Sequence, residues 1–127
     1  MLKEGQVFAS IPAADMARAT AWYEEKLGLK PDSDMPDGGI YRCGGGTAFL
    51  LYQTEFAGTG KHTIAGWNVE DLDTEMSDLR ARGVTFEDYD MPGLKTVDGV
   101  AEYEGMRSAW FKDSEDNILN IGEMPKP

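Results

Sequence analysis

The run Gln6-Val-Phe-Ala-Ser-Ile11-Pro-Ala-Ala-Asp15-Met-Ala-Arg-Ala-Thr-Ala-Trp-Tyr23-Glu-Glu-Lys-Leu27-Gly28 decides the fold, because its parts return in the same order further along the chain. Gln6–Ile11 reads as a strand. Asp15-Met16 opens a helix whose Met16, Ala19, Tyr23 and Leu27 share one face. Gly28 ends it, and Leu29-Lys30-Pro31 leaves it. From His62 the order repeats. Thr63-Ile-Ala-Gly-Trp-Asn-Val69 is a strand, and Asp71-Leu72 opens a helix with Leu72, Met76 and Leu79 on one face. Gly83 ends this second helix, and Val84-Thr85-Phe86 exits. Both aspartates suit an N-cap, where a carboxylate accepts free backbone N–H groups. Neither has Glu or Gln three residues on, so no capping box forms locally.

The segments after the two helices also match. Gly39-Ile-Tyr-Arg-Cys43, a turn at Gly44-Gly45-Gly46 and Thr47-Ala-Phe-Leu-Leu-Tyr52 read as a hairpin. So do Arg107-Ser-Ala-Trp-Phe-Lys112, the turn Asp113-Ser-Glu-Asp-Asn117 and Ile118-Leu-Asn-Ile-Gly122. The expectation is one α+β domain spanning 1–127, made of two βαβββ modules over 1–57 and 58–127. Curled mixed sheets should surround a shared cleft, with the helices outside. Asp90–Glu104 is the least regular long stretch and reads as a solvated loop or lid carrying Lys95, Glu102 and Glu104.

Composition narrows the function. The formal charge is −11, from 12 Lys+Arg and 23 Asp+Glu, which disfavours nucleic acid and anionic membrane. No apolar run approaches membrane-spanning length, and the N-terminus shows no signal peptide. One cysteine, Cys43, allows no internal disulfide, so a cytoplasmic location is expected. Cys43 has no visible activating base, and His62, the only histidine, reads as an exposed strand entrance.

The ordered set Ile11–Tyr23, Leu27-Gly28, Val69-Glu-Asp71-Leu-Asp73, Arg80-Ala-Arg-Gly83-Val84 and Trp110-Phe-Lys-Asp113-Ser-Glu-Asp-Asn117 resembles the vicinal oxygen chelate superfamily. That group includes glyoxalase I, extradiol dioxygenases, fosfomycin-resistance thiol transferases and bleomycin-binding proteins. Its hairpin motif is an aromatic followed by Asp-Pro-Asp-Gly-Asn; here Ser114 stands for the Pro and Asp116 for the Gly. The resemblance implies four metal-ligand slots, which fall on Phe8, Ile64, Asn120 and Leu50. Phe, Ile and Leu offer no lone pair, and one neutral amide oxygen cannot hold a divalent ion. No metal and no cofactor are therefore expected.

Strand alternation then gives a candidate lining from these slots and their same-face neighbours: Phe8, Ser10, Leu50, Tyr52, Ile64, Gly66, Asn68, Ser108, Trp110 and Asn120. For Phe8, Leu50 and Ile64, ligand contact and packing in a collapsed cleft both stand. Trp110 reads either as a structural aromatic or as a flat face for a ligand. Three functions are compatible with such a lining. The first is a metal-independent protein binding a small organic molecule, for instance an antibiotic. The second is a glyoxalase-like lyase, isomerase or dioxygenase with a non-standard site. The third is a non-catalytic interaction protein. A homodimer suits all three.

Overall fold

Two capped helices organise the chain. In the computed structural model, which describes residues 1–35 and 38–125, α1 covers Met16–Leu27 and α2 covers Leu72–Ala81. Asp15 caps α1 by accepting from the Arg18 N–H at 3.0 Å, and Asp71 caps α2 by accepting from the Thr74 N–H at 3.1 Å. Gly28 ends α1 in the left-handed region at φ +70, and the Leu29 N–H reaches back to the Tyr23 carbonyl at 3.1 Å. At α2 the C-cap is Arg82, and Gly83 comes next at φ +94.

The strands are β1 (Ala9–Ala13), β2 (Ser33–Met35), β3 (Gly38–Arg42), β4 (Ala48–Gln53), β5 (Thr63–Asn68), β6 (Asp90–Met91), β7 (Leu94–Lys95), β8 (Ala101–Tyr103), β9 (Met106–Lys112) and β10 (Ile118–Glu123). They form one sheet in the order β1-β4-β3-β2, a second in the order β5-β10-β9-β8, and a small β6–β7 ribbon. In each large sheet the first strand runs parallel to the last, and the other neighbours are antiparallel. The repeat extends to register. Ser10 pairs with Leu50 as Gly66 pairs with Asn120, and Leu50 pairs with Ile40 as Asn120 pairs with Trp110. β1 and β5, the outer strands of the two sheets, lie side by side.

Two local differences from the sequence reading have physical causes. The first strand begins at Ala9 rather than Gln6, because β4 begins at Ala48 and leaves residues 6 and 7 nothing to pair with. The stretch from Asp90 is more regular than a loop. Asp88 ties it down by accepting from the Thr96 hydroxyl at 2.7 Å and the Gly99 N–H at 2.8 Å, and the same bonds hold the Asp88 carboxyl below its usual range. Lys95, Glu102 and Glu104 are all exposed.

One face of both sheets is buried under the helices. Ile11, Ala13, Phe49 and Leu51 join Ala109, Phe111, Leu119 and Ile121 in one core with Ala19, Tyr23, Leu72, Met76 and Leu79. Burying each large apolar side chain of this kind contributes about 1.5–3 kcal/mol. Helix α1 serves both sheets. Tyr23 packs on Phe49 and Tyr41 of the first, while Trp22 stacks on Phe111 of the second at 6.3 Å. The β9–β10 turn locks this joint from below. Asp113 accepts from the Tyr23 hydroxyl at 2.6 Å, and the Asn117 amide donates to the Pro12 carbonyl at 2.7 Å.

Candidate functional site

The opposite face of the sheets is where strand alternation sends the expected lining. Residues directly opposite one another across a ladder share a face. Ile40, Leu50 and Ser10 therefore form one row across β3, β4 and β1, and Trp110, Asn120 and Gly66 form the matching row across β9, β10 and β5. The neighbouring rows carry Tyr52 opposite Pro12 in the first sheet, and Ser108, Gly122 and Asn68 in the second. Ser10, Tyr52 and Asn68 are exposed, whereas Leu50, Ser108, Trp110 and Asn120 are half-buried. Phe8 stands just before β1 and is 59% exposed. Ile64 lies at an irregularity: Thr63 pairs with Ile118 and Ala65 with Leu119, so Ile64 has no residue opposite in β10.

Three hollows divide these residues. The first, about 320 Å³, brings Phe8 and Leu50 together with Val7, Ile40, Ala48 and the polar Gln6 and Arg42. The second, about 330 Å³, holds Gly66 and Asn68 with Ala9, Cys43, Thr47 and Trp67, and so spans both sheets. The third, about 160 Å³, places Ile64 beside Pro12, Phe56, His62 and Ile118. Ser10, Tyr52, Ser108, Trp110 and Asn120 line none of these three.

Local contacts fix the second sheet's part of this face. Trp110 donates from Nε1 to the Thr63 hydroxyl at 3.0 Å and meets Tyr89 edge-on at 5.8 Å. The Asn120 amide oxygen lies over Gly66, where any Cβ would overlap it. Gly66 is thus what lets the amide lie flat across β5.

Gln6, Val7, Ile40, Arg42 and Ala48 belong to the first hollow and were absent from the sequence-based lining. Ile40 was within reach of strand alternation, because it sits directly opposite Leu50, and Arg42 lies two residues beyond it, the spacing that keeps a side chain on the same face. Gln6 was within reach too, two residues before Phe8 in the stretch read as a strand, whereas Val7 has the opposite parity; both lie outside the strands.

The ionisable groups held furthest from their ordinary values, Glu115 and Tyr23, lie elsewhere, at the joint beneath α1. Glu115 is held at about 2, first by the hydrogen bond from Arg18 and then by backbone N–H groups and Ser114, against a desolvation that opposes them. Burial pushes the Asp113 carboxyl up, although Tyr23 and Asn117 hydrogen-bond to it. Burial first, and Asp113 second, push the Tyr23 phenol up. Shifted groups often mark active sites, but structural networks shift them too. These three are locked to each other and to α1, and none lines the first two hollows.

The donor set does not fit a metal centre of the superfamily's usual kind. Phe8, Leu50 and Ile64 carry no donor atoms, and Asn120 contributes at most one amide oxygen. Among the described residues no three His, Cys, Asp or Glu side chains gather in a metal-binding group. No helix among them is long and apolar enough to cross a membrane.

Comparison with known proteins agrees with this architecture. No curated protein matches the sequence. Several solved structures share the fold. TnmS3, an antibiotic binding protein from Streptomyces sp. CB03234, is 21% identical with a TM-score of 0.72, over 95% of this chain and 95% of its own. A glyoxalase / bleomycin resistance protein from Catenulispora acidiphila DSM 44928 is 25% identical with a TM-score of 0.68, over 94% and 98%. A lactoylglutathione lyase from Agrobacterium tumefaciens is 16% identical with a TM-score of 0.70, over 94% and 93%. The family model described as glyoxalase/bleomycin resistance protein/dioxygenase superfamily matches residues 5–92, and the chain belongs to that superfamily.

Proposed function

We propose that this protein binds a small organic molecule without a metal, on the sheet face that the helices leave uncovered. The observation that carries the reading is the first hollow. Its volume of about 320 Å³ suits a compact organic ligand, and its walls are mainly apolar with a few polar groups. Three of the four slots hold side chains without a donor atom, and two of these, Phe8 and Leu50, are part of that wall. A binder needs no electrophile, so apolar slots are no handicap to it. An antibiotic is the ligand class that the similarity to TnmS3 favours, with sequestration as the outcome.

In this reading residues 1–57 and 58–127 are the two modules, and the protein acts in the cytoplasm as a homodimer. The exposed Val7 and Phe8 just before β1 support pairing with a second copy, since apolar side chains grouped at a surface favour association. The reading is tested by titrating two polycyclic antibiotics, one uncharged and one carrying a carboxylate, into purified protein and into Leu50→Asp, with calorimetry as the readout. Micromolar binding to the wild type and its loss in the variant are expected. No heat with either drug removes the antibiotic version, and equal binding to both proteins moves the site elsewhere.

A further inference from the structure

We propose that the hollow beside β3 takes an apolar molecule carrying one carboxylate, and that Arg42 is the side chain that reads it. This deepens the small-molecule reading above and rests on it.

Among the described residues, Arg42 is the only ionisable side chain in the wall of this hollow. It shares its face of β3 with Ile40, which sits opposite Leu50, so the guanidinium stands at the rim of an apolar patch made by Phe8, Ile40, Ala48 and Leu50. Its orientation is set by Asp32. Arg42 donates from Nε to Asp32 Oδ2 at 2.7 Å, and the Asp32 backbone N–H donates to the Ile40 carbonyl at 2.6 Å, which ties the carboxylate to the same strand. The pair is exposed, 66% for Arg42 and 55% for Asp32, and such pairs add little stability. What it does is hold the fork by one nitrogen. Among the described residues the Nη groups have no acceptor.

A guanidinium held by Nε keeps two donors in a plane, the geometry that suits a carboxylate. An apolar ligand seated on that wall would cover one side of the exposed guanidinium, and a charge-assisted hydrogen bond gains strength where water is excluded. A cation in the same hollow would meet Arg42 at close range, with Asp32 already engaged. The formal charge of −11 favours cations at a distance, but it acts over the whole surface and is screened by salt. The nearest charge decides the fit, and here it is positive. Gln6, also in the wall, offers an amide to a second polar group on the ligand.

The test uses 2-naphthoate and its uncharged counterpart 2-naphthamide. Each is titrated by calorimetry into the full chain and into Arg42→Gln, with amide chemical shifts tracked by NMR. The wild type should bind the acid about tenfold or more tightly than the amide, the size expected of a charge-assisted pair over a neutral one. Arg42→Gln should erase that preference, with the loss of affinity falling mainly on the acid. Shifts should centre on Ile40 and Leu50. Equal wild-type affinity for the two probes, or a preference that survives in Arg42→Gln, overturns the role of Arg42 and leaves the hollow as a neutral site. Failure of both probes to bind, or shifts centred away from β3 and β4, overturns the small-molecule reading of the hollow itself.

Discussion

Glu115 and Arg18 lie 97 residues apart and form a two-point ion pair at the N-terminus of α1. Arg18 donates from Nε to Oε2 at 2.8 Å and from Nη2 to Oε1 at 3.0 Å. The same Oε1 accepts from the backbone N–H groups of Ala14 and Asp15, each at 3.0 Å. In a local capping box the residue three past the N-cap would be Glu or Gln, and its side chain would accept the N-cap N–H. Here that residue is Arg18, and the carboxylate comes from the β9–β10 turn instead. The helix of the first unit is thereby finished by the second.

Glu115→Gln should therefore destabilise the protein by about 1–3 kcal/mol near neutral pH, since it removes the charge from a buried acceptor that holds Arg18 and two backbone N–H groups. The sign of the pH effect is set by the carboxyl being held at about 2 in the folded chain, below its unfolded value. Its contribution is complete above the unfolded value and is lost as pH falls from there toward about 2. Urea midpoints measured from pH 7 to pH 2.5 should drop more steeply for the wild type than for Glu115→Gln. Parallel curves would mean that the pair adds nothing.

Tyr23→Phe removes the hydroxyl that donates to Asp113 at 2.6 Å and leaves the aromatic packing in place. The carboxylate stays buried and loses a donor, which costs about 1–3 kcal/mol. Burial already raises the Asp113 carboxyl above its unfolded value, so ionising it costs more in the folded chain than in the unfolded one, and that cost accrues as pH rises through the folded value. The Tyr23 hydroxyl supports the ionised form. The penalty of Tyr23→Phe should be largest at neutral pH and shrink in acid, as read from melting temperatures across the same range. A penalty that grows in acid would mean that Tyr23 supports the protonated acid.

Asp116 occupies the turn at φ +63, where the superfamily's hairpin carries glycine. Left-handed backbone is strained for residues with a Cβ, although Asp tolerates it better than most. Asp116→Gly should raise stability by about 0.5–1 kcal/mol, the relief of that strain less the added freedom of the unfolded chain. Thermal unfolding settles the sign.

Much of the fold was legible because it is written in short-range patterns. Both helix caps, the buried faces Ala19–Tyr23 and Leu72–Met76–Leu79, and the hairpins depend on neighbours a few residues away. The two faces of the strands were readable for the same reason, and the repeat fixed which strands correspond. The joint was not readable. Glu115 looked like one polar residue in a turn, and Trp22 lay off the helix's predicted apolar face, yet both are placed by contacts with partners about 90 or more residues away. The division of the open face into separate hollows depends on how β1 meets β5 and on where residues 6–8 run, and neither has a local signature.

Gly66 and Asn120 supply the sharpest test of how the open face is built. They are register partners in β5 and β10, and the amide oxygen of Asn120 fills the space a Cβ at Gly66 would need. The side chain is the part that can move. Gly66→Ala should therefore force the Asn120 amide off β5 and destabilise by about 1–3 kcal/mol, the usual penalty of overpacking. Asn120→Ala alone removes a half-buried amide and should cost less. In the double variant only the Asn120 backbone oxygen, 3.1 Å from the new Cβ, still crowds it, so the penalty of Gly66→Ala should fall well below its value in the single variant. A double-mutant cycle by urea denaturation measures the coupling, and a value above about 0.5 kcal/mol in the compensating direction is expected of residues in contact. Additive penalties would mean that Gly66 is required by the backbone of β5 rather than by Asn120.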